Sequence, residues 1–310
     1  MWEKLQNLLR RSQVRENEDL IAIRGYSIIR QLGEGAQGAV YLAQRESTGE
    51  QVALKVMLPA VLGAQKSIDK FLREAQNTKA LNHPHVVQLK DAGYSEDIFF
   101  FTLEYCEGGS LADFIWRRGG KLDLETAIPI IKQVLKGLAY AHNVYLPEVQ
   151  LANSRVNTGR GLVHRDLKPG NILLTNIDGS PMAKIADYGL SKSFDLAGLS
   201  GLTVMGTAAG GPCFMPRQQV TDFKNALPEV DVWAAAAVLY YMLAGTYPRN
   251  FDAKPEPWLV ILQTNAVPIL ERNPFLPKDL AEVIDLGLID KPQIHFKTAA
   301  EFLQALSQVI

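Results

Sequence analysis

The sequence predicts an α+β protein of two lobes, a small β-rich one carrying a single helix and then a larger, mainly helical one. Three observations carry this. Between Tyr26 and Tyr105 the chain runs as short apolar segments, several bounded by turn residues: YSIIRQL, AVYLAQ, QVALKVM, VVQLKDA and IFFFTLE. Beyond Gly108-Gly109 the apolar residues of LETAIPIIKQVLKGLAYAH (124–142) recur with the 3.6-residue period of an amphipathic helix. The run VWAAAAVLYYMLA at 232–244 is apolar on every side, follows Pro228 and closes at Gly245, as a helix buried in a lobe's core would.

Composition bounds the function. A chain of 310 residues can hold two packed cores, and 47% hydrophobic with 21% charged residues is ordinary for a folded globular protein. Its 32 Lys and Arg nearly cancel 33 Asp and Glu, which argues against nucleic acid or a membrane surface as a bulk-charge partner. Two cysteines, Cys106 and Cys213, are too few for a disulfide framework and suit a reducing compartment. The N-terminal MWEKLQNLLRRSQ has no continuous apolar stretch, and the run at 232–244 is shorter than the roughly 20 residues of a membrane span. The expectation is a soluble, cytoplasmic protein with no nucleic-acid partner and no membrane span.

Taken in order, residues 1–25 begin with Trp2, Leu5, Leu8 and Leu9 at helical spacing and turn polar in RRSQVRENED. This pattern fits equally a helix packed on its own domain and one that docks a partner. Within the β-rich region, KSIDKFLREAQNTKAL (66–81) sets Ile68, Phe71, Leu72, Ala75 and Leu81 near one helical face, and Pro84 stops its continuation. The sequence contains no internal repeat.

The chemistry lies in motifs. Leu32-Gly33-Glu34-Gly35-Ala36-Gln37-Gly38-Ala39-Val40 contains G-x-G-x-x-G, where missing Cβ atoms let backbone amides approach phosphates. A dinucleotide fold would need a helix after the third glycine, whereas AVYLAQ and QVALKVM read as strands, so the loop is the tip of a hairpin. Lys55, in the apolar strand VALK, needs an anionic partner to offset its desolvation, and Glu74 on the following helix is the candidate. Downstream stand Val163-His164-Arg165-Asp166-Leu167-Lys168-Pro169-Gly170-Asn171 and Lys184-Ile185-Ala186-Asp187-Tyr188-Gly189.

These last two motifs resemble the catalytic loop and metal-binding loop of the eukaryotic-like (Hanks-type) protein serine/threonine kinases, of a bacterial type, and the glycine loop and VALK fit the same family in order. The resemblance covers residues 26–308 and implies the bilobal protein kinase fold, with an N-lobe at 26–105 and a C-lobe at 106–308. It implies ATP and Mg²⁺ as cofactors and protein Ser/Thr hydroxyls as acceptors, because lysine two places after the catalytic aspartate is the serine/threonine pattern. By resemblance, residues 32–40 cover the phosphates, and Lys55, held by Glu74, binds them. Asp166 orients the substrate hydroxyl or takes its proton, Lys168 steadies the transferred group, and Asn171 and Asp187 ligate Mg²⁺ through hard oxygen donors. Adenine is expected between Val40 and Ala53 above and Leu173 below, bonded to the backbone of Glu104 and Cys106, with Leu103 as gatekeeper.

Arg165 beside Asp166 implies control by phosphorylation of the loop after Asp187, with Ser200 or Thr203 as the expected sites. Tyr188 stands where the family most often has Phe and adds a hydroxyl that needs a partner if buried. Two stretches depart from the family. NVYLPEVQLANSRVNTGRG (143–161) separates the long helix from the catalytic loop; a surface loop is the favoured reading and a docking site the other.

Aligned without a gap on the family's G-T-P-x-Y-M-A-P-E-Q, the second reads Gly210-Gly211-Pro212-Cys213-Phe214-Met215-Pro216-Arg217-Gln218-Gln219. Gly211 replaces a threonine and Gln218 the glutamate, while His295 takes the place of that glutamate's arginine partner. A neutral Gln218–His295 hydrogen bond is therefore expected in place of a buried ion pair. The competing class is a nucleotide-binding pseudokinase; retention of Lys55, Glu74, Asp166, Lys168, Asn171 and Asp187 argues against it, since a scaffold needs none of them together.

Overall fold

A computed structural model describes residues 23, 25–35, 38–57, 79, 81–95, 98–145, 161–176, 179–188, 211–223, 225–251 and 256–310. The chain forms two compact units, one holding residues up to Lys79 with Gln88–Tyr105, the other Ala80–Val87 and most of the chain from Cys106 onward.

The first unit is an antiparallel five-stranded sheet in the order β1-β2-β3-β5-β4, from Tyr26–Gly35 (β1), Gly38–Arg45 (β2), Gln51–Met57 (β3), Leu89–Ser95 (β4) and Ile98–Glu104 (β5). Alternation along each strand sorts its side chains. Tyr41, Ala43, Val52, Leu54 and Val56 bury one face together with Ile23 and Tyr26. Register places Val40 opposite Lys55 and Leu42 opposite Ala53, and on the next strand Lys55 opposite Phe101 and Ala53 opposite Leu103. Directly opposed residues share a face, so Val40, Ala53, Lys55 and Leu103 stand together on the side away from that cluster. The hairpin between β1 and β2 closes on Gly35 opposite Gly38, whose φ of 146° is one that only glycine adopts without strain.

The second unit is mainly helical. A short strand at Gly109–Ser110 (β6) pairs with Ile172–Thr175 (β7), which pairs with Met182–Ile185 (β8). Leu111–Arg117 (α1) follows, capped by Ser110, whose side chain accepts from Asp113 N. Leu124–Asn143 (α2) starts from an Asp123 cap and buries Ala127, Ile131, Val134, Leu135 and Leu138 on its apolar stripe. After Arg217–Thr221 (α3) comes Glu229–Ala244 (α4), buried nearly all round and ended by Gly245 at φ 70°. The apolar run of the sequence is thus the lobe's central helix, against which α2 packs. Pro257–Gln263 (α5), Ile269–Arg272 (α6), Lys278–Gly287 (α7) and Ala299–Gln308 (α8) complete the unit, α8 beginning with a capping box of Thr298 and Glu301.

The helix expected over 66–81 lies, but for Lys79 and Leu81, outside the described residues, as do residues 146–160 and 189–210. At the neck of the stretch 143–161 the chain is tied to itself: Gly161 N donates to Val144 O at 3.0 Å and Leu162 N to Ala141 O at 2.8 Å. Gly161, at φ 84°, permits this closeness, since a Cβ there would fall 2.1 Å from His142 O.

Candidate active site

The catalytic-loop residues converge in the second unit. Lys168 Nζ donates to both Asp166 oxygens, at 3.2 Å to Oδ1 and 2.9 Å to Oδ2. Asn171 lies in the short turn Pro169–Asn171 that leads into β7, and its Nδ2 donates to Asp166 O at 2.7 Å and Oδ2 at 3.0 Å. These bonds orient the amide, leaving its oxygen as the acceptor for a ligand. Asp187 follows β8 and is joined to this loop through Ala186 N, which donates to Asn171 O at 2.8 Å. Its backbone sits in the left-handed region at φ 61°. The Asp166 side chain keeps about half its surface in water (49%).

The loop is held from behind by a carboxylate that sequence reasoning passed over. Asp231, in the first turn of α4, is 1% exposed; its Oδ2 accepts from His164 N at 2.7 Å and His142 Nε2 at 2.8 Å, and its Oδ1 from Arg165 N at 2.8 Å. Burial pushes its carboxyl up, but the His142 hydrogen bond and charge, His164 and the Arg165 amide outweigh burial and hold it below the usual aspartate range. Arg165 needs such support: its φ is 66°, a left-handed conformation that costs a non-glycine residue about 1 kcal/mol or more. Its carbonyl is held too, by Gln219 Nε2 at 2.5 Å. The sequence signal for Asp231 was an acid directly before the apolar run at 232–244, which must find donors when buried.

His164 is buried beneath the loop; its Nε2 donates to Ala186 O at 2.7 Å, and Asp166 N donates to its Nδ1 at 3.2 Å. Its ring meets Tyr188 edge-on, centroids 4.9 Å apart. Tyr188 is buried, and its hydroxyl has no hydrogen-bond partner among the described residues. Burial first, and Asp231 second, push that hydroxyl well above the usual tyrosine range.

In the first unit Leu32, Gly33 and Glu34 are exposed at the end of β1, and Gly38, Ala39 and Val40 open β2. Glu104 closes β5, where its amide donates to Gln88 O at 2.9 Å, and Cys106 O accepts from Gly109 N in the turn beyond. Leu173 lies in β7 opposite Lys184. Ala36, Gln37, Glu74, Ser200 and Thr203 lie outside the described residues.

The neutral pair expected of Gln218 and His295 does not form. Gln218 Nε2 donates to Asp290 O at 2.6 Å, while its Oε1 is buried without a partner among the described residues. His295 is exposed, its ring edge-on to Phe296. The position is taken by an ion pair of other residues. Asp290, 4% exposed, accepts from Arg249 Nη2 at 2.5 Å, from Arg217 Nη1, and from Arg217 N at 2.9 Å. Arg249 also donates from Nη1 to Met215 O at 3.0 Å and from Nε to Thr264 O at 3.1 Å, and its guanidinium lies 4.6 Å over the Trp233 ring. Counting from Thr298-Ala299 misled because Asp290, before the Ile294–Phe296 stretch, supplies the charge. The polarity is inverted at the 210–219 segment, which supplies the cation Arg217, while Arg249, beyond α4, supplies a second cation and the C-terminal loop the anion.

The fold and these motifs define a protein kinase. A family model for the protein kinase domain matches residues 26–278, and the chain belongs to that family. The carbon catabolite-derepressing protein kinase of Candida albicans is 35% identical over 231 residues, 74% of this chain and 33% of that protein. A protein of Clostridium perfringens described as a probable serine/threonine-protein kinase is 30% identical over 92% of this chain and 38% of its own length. A serine/threonine protein kinase of Oryza sativa subsp. indica is 31% identical over 76% of this chain and 41% of its own length. The chain thus spans about a third to two fifths of these curated relatives.

Among solved structures, the kinase domain of Mycobacterium tuberculosis PknI shares the fold as a point mutant and unmutated. The TM-scores are 0.65 and 0.64 at 23% and 24% identity, covering 95% and 92% of this chain and 99% and 96% of those. The architecture is the bilobal α+β kinase fold, and the curated proteins that the chain resembles are described as protein kinases, a bacterial one among them. No helix among the described residues is long and apolar enough to cross a membrane.

Proposed function

We propose that this chain transfers the γ-phosphoryl group of ATP, with Mg²⁺, to Ser or Thr hydroxyls of protein substrates. The observation that carries the reading is the triad of Asp166, Lys168 and Asn171: a half-exposed carboxylate gripped by an ammonium at 2.9 Å and an amide at 3.0 Å. Phosphoryl transfer asks mainly for positioning and charge neutralisation. Asp166 receives the acceptor hydroxyl and takes its proton as the O–P bond forms. Lys168 offsets the negative charge gathering beside it, and Asn171 keeps the carboxylate turned toward the acceptor. The amide oxygen of Asn171 and the carboxylate of Asp187 are hard donors of the kind Mg²⁺ takes, so this donor set fits the metal. When bound, the ion neutralises charge on the phosphate oxygens. On the sheet of the first unit, Lys55 and the Gly33–Gly38 hairpin supply the cation and backbone amides that suit phosphates, while Ala53 and Val40 suit a base.

Control by phosphorylation of Ser200 or Thr203 is part of the proposal. It is supported by Arg165, whose Nε is buried with no partner among the described residues, though its Nη2 reaches Ala226 O at 3.4 Å. A phosphate would complete that guanidinium. Residues 26–308 are taken as the catalytic domain, with residues 1–25 and the 143–161 stretch as places for a further domain or partner, in the cytoplasm.

The test is transfer from labelled ATP to a generic protein substrate, with Asp166→Asn as control and intact-mass analysis of the kinase itself. Wild-type transfer well above the control supports the reading. ATP binding with no transfer above the control would favour a nucleotide-binding scaffold, and a fully active enzyme with an unmodified 189–210 segment would remove the regulatory part.

A further inference from the structure

Two cavities, of about 360 and 260 Å³, open along α7, and Asp285 and Ile289 line both. In the larger one Lys278, Ala281, Glu282, Asp285 and Leu286 recur at the three- and four-residue spacing of one helix face, and Leu270 of α6 completes the lining. All of these residues lie in 265–291, a stretch described without a break. A cavity of the larger size falls in the range of small-molecule sites, which combine mostly apolar walls with a few oriented polar groups.

Asp285 is the oriented group. Its Oδ1 accepts from Ile269 N at 2.9 Å, which fixes the carboxylate, while Oδ2 accepts no hydrogen bond and meets no cation among the described residues. Burial pushes this carboxyl above the usual aspartate range; the Ile269 amide opposes the rise and the charge of Glu271 adds to it. The nearby cations are committed elsewhere or too far along the chain. Arg272 of α6 bonds Asn250 Oδ1. Lys278 is exposed and stands seven residues before Asp285, about 10 Å along the helix. A half-buried carboxylate among apolar side chains is thus left without the counter-charge that such a group calls for.

We propose that these cavities are a binding site for a small organic amine: a primary ammonium donates to Asp285 Oδ2 while its aliphatic body lies along Leu270, Leu286 and Ile289. The site stands apart from phosphoryl transfer and uses none of its residues. An anionic ligand is excluded by charge, since it would face Asp285, Glu282 and Glu271 together. A quaternary ammonium has no N–H to give Oδ2. A divalent metal ion takes six or more oxygen ligands, and the described residues hold no group of three acids, histidines or cysteines that could supply them. A primary amine satisfies the oxygen by a charge-assisted hydrogen bond and the walls by its hydrocarbon.

The experiment titrates the full chain with hexylamine, 1-hexanol and hexanoate at neutral pH and fixed salt, followed by amide NMR. Hexylamine, charged at this pH as a lysine is, should shift the signals of Ile269, Asp285 and Ile289 to saturation. It should bind at least about tenfold tighter than 1-hexanol, and hexanoate should not saturate. Butylamine should bind about 15-fold more weakly than hexylamine, about 4-fold for each methylene removed. Asp285→Asn keeps an acceptor for Ile269 N, and in this variant, whose unliganded spectrum checks its folding, hexylamine should bind no better than the alcohol. The proposal is overturned by equal affinity for amine and alcohol, by unsaturable shifts spread over the surface, or by unchanged hexylamine affinity in folded Asp285→Asn. If the variant does not fold, the comparison of amine, alcohol and acid in wild type decides alone.

Discussion

Arg249 and Asp290 meet with both side chains withdrawn from solvent, 0% and 2% exposed, and the same carboxylate also holds Arg217. Burial pulls the Arg249 guanidinium below its ordinary pKa while Asp290 draws it back up. Asp290→Ala would leave two guanidiniums facing each other without their anion. Removing one partner of such a buried pair costs about 3–5 kcal/mol, and urea unfolding of the variant should show a loss of that size. A change below about 1 kcal/mol would mean that the cluster is hydrated or rearranges.

Gln218→Glu tests the same region from the other side. The new carboxylate would face Asp290 O, which accepts from the Gln218 amide at 2.6 Å, and would set two acceptors against each other. The expected cost is about 1–3 kcal/mol. His295→Arg should not relieve it, because His295 is exposed and the Gln218 amide is engaged by Asp290 O instead. Additive melting shifts of the double variant are expected; a compensating double variant would contradict this geometry.

Asp231 makes both stability and rate depend on one buried charge. Its carboxyl is held below the usual aspartate range in the folded chain, so near and below that range the unfolded chain binds more protons. The contribution is whole above the ordinary aspartate value of about 3.9 and is lost as pH falls through the lower folded value. Denaturant titrations from neutral pH to about pH 3 should show this acid limb in wild type, and Asp231→Asn should flatten it. The variant keeps a single acceptor oxygen, so one of the two catalytic-loop amides held by Asp231 loses its partner, and a misplaced loop should lower kcat about 100-fold.

Tyr188→Phe removes a buried hydroxyl that has no partner among the described residues and keeps the ring against His164. A gain of about 1 kcal/mol in stability is expected, read as a raised Tm. A lowered Tm would show that the hydroxyl is hydrogen-bonded in solution.

Much of this was legible in the sequence because local rules sufficed. The strands of the first unit alternate, α2 follows the helical period, and Gly245 stops α4 where a left-handed cap is needed. Asp166, Lys168 and Asn171 could be grouped because they lie within six consecutive residues. Asp231 and the Arg217–Asp290–Arg249 cluster could not: their partners are 41 to 89 residues away, and no local pattern tells which buried acid meets which arginine. Spacing placed His295 where an arginine belongs in the family, but the ion pair had moved to other residues and exchanged its signs.

The hydrogen-bonded neck at Ala141, Val144, Gly161 and Leu162 has a practical consequence. Because the chain re-enters beside the point where it left, the closure entropy of what lies between rises only slowly with its length. Residues 146–160 therefore form a cassette position, where a reporter or affinity module could be spliced into the chain while the phosphotransfer machinery keeps its shape.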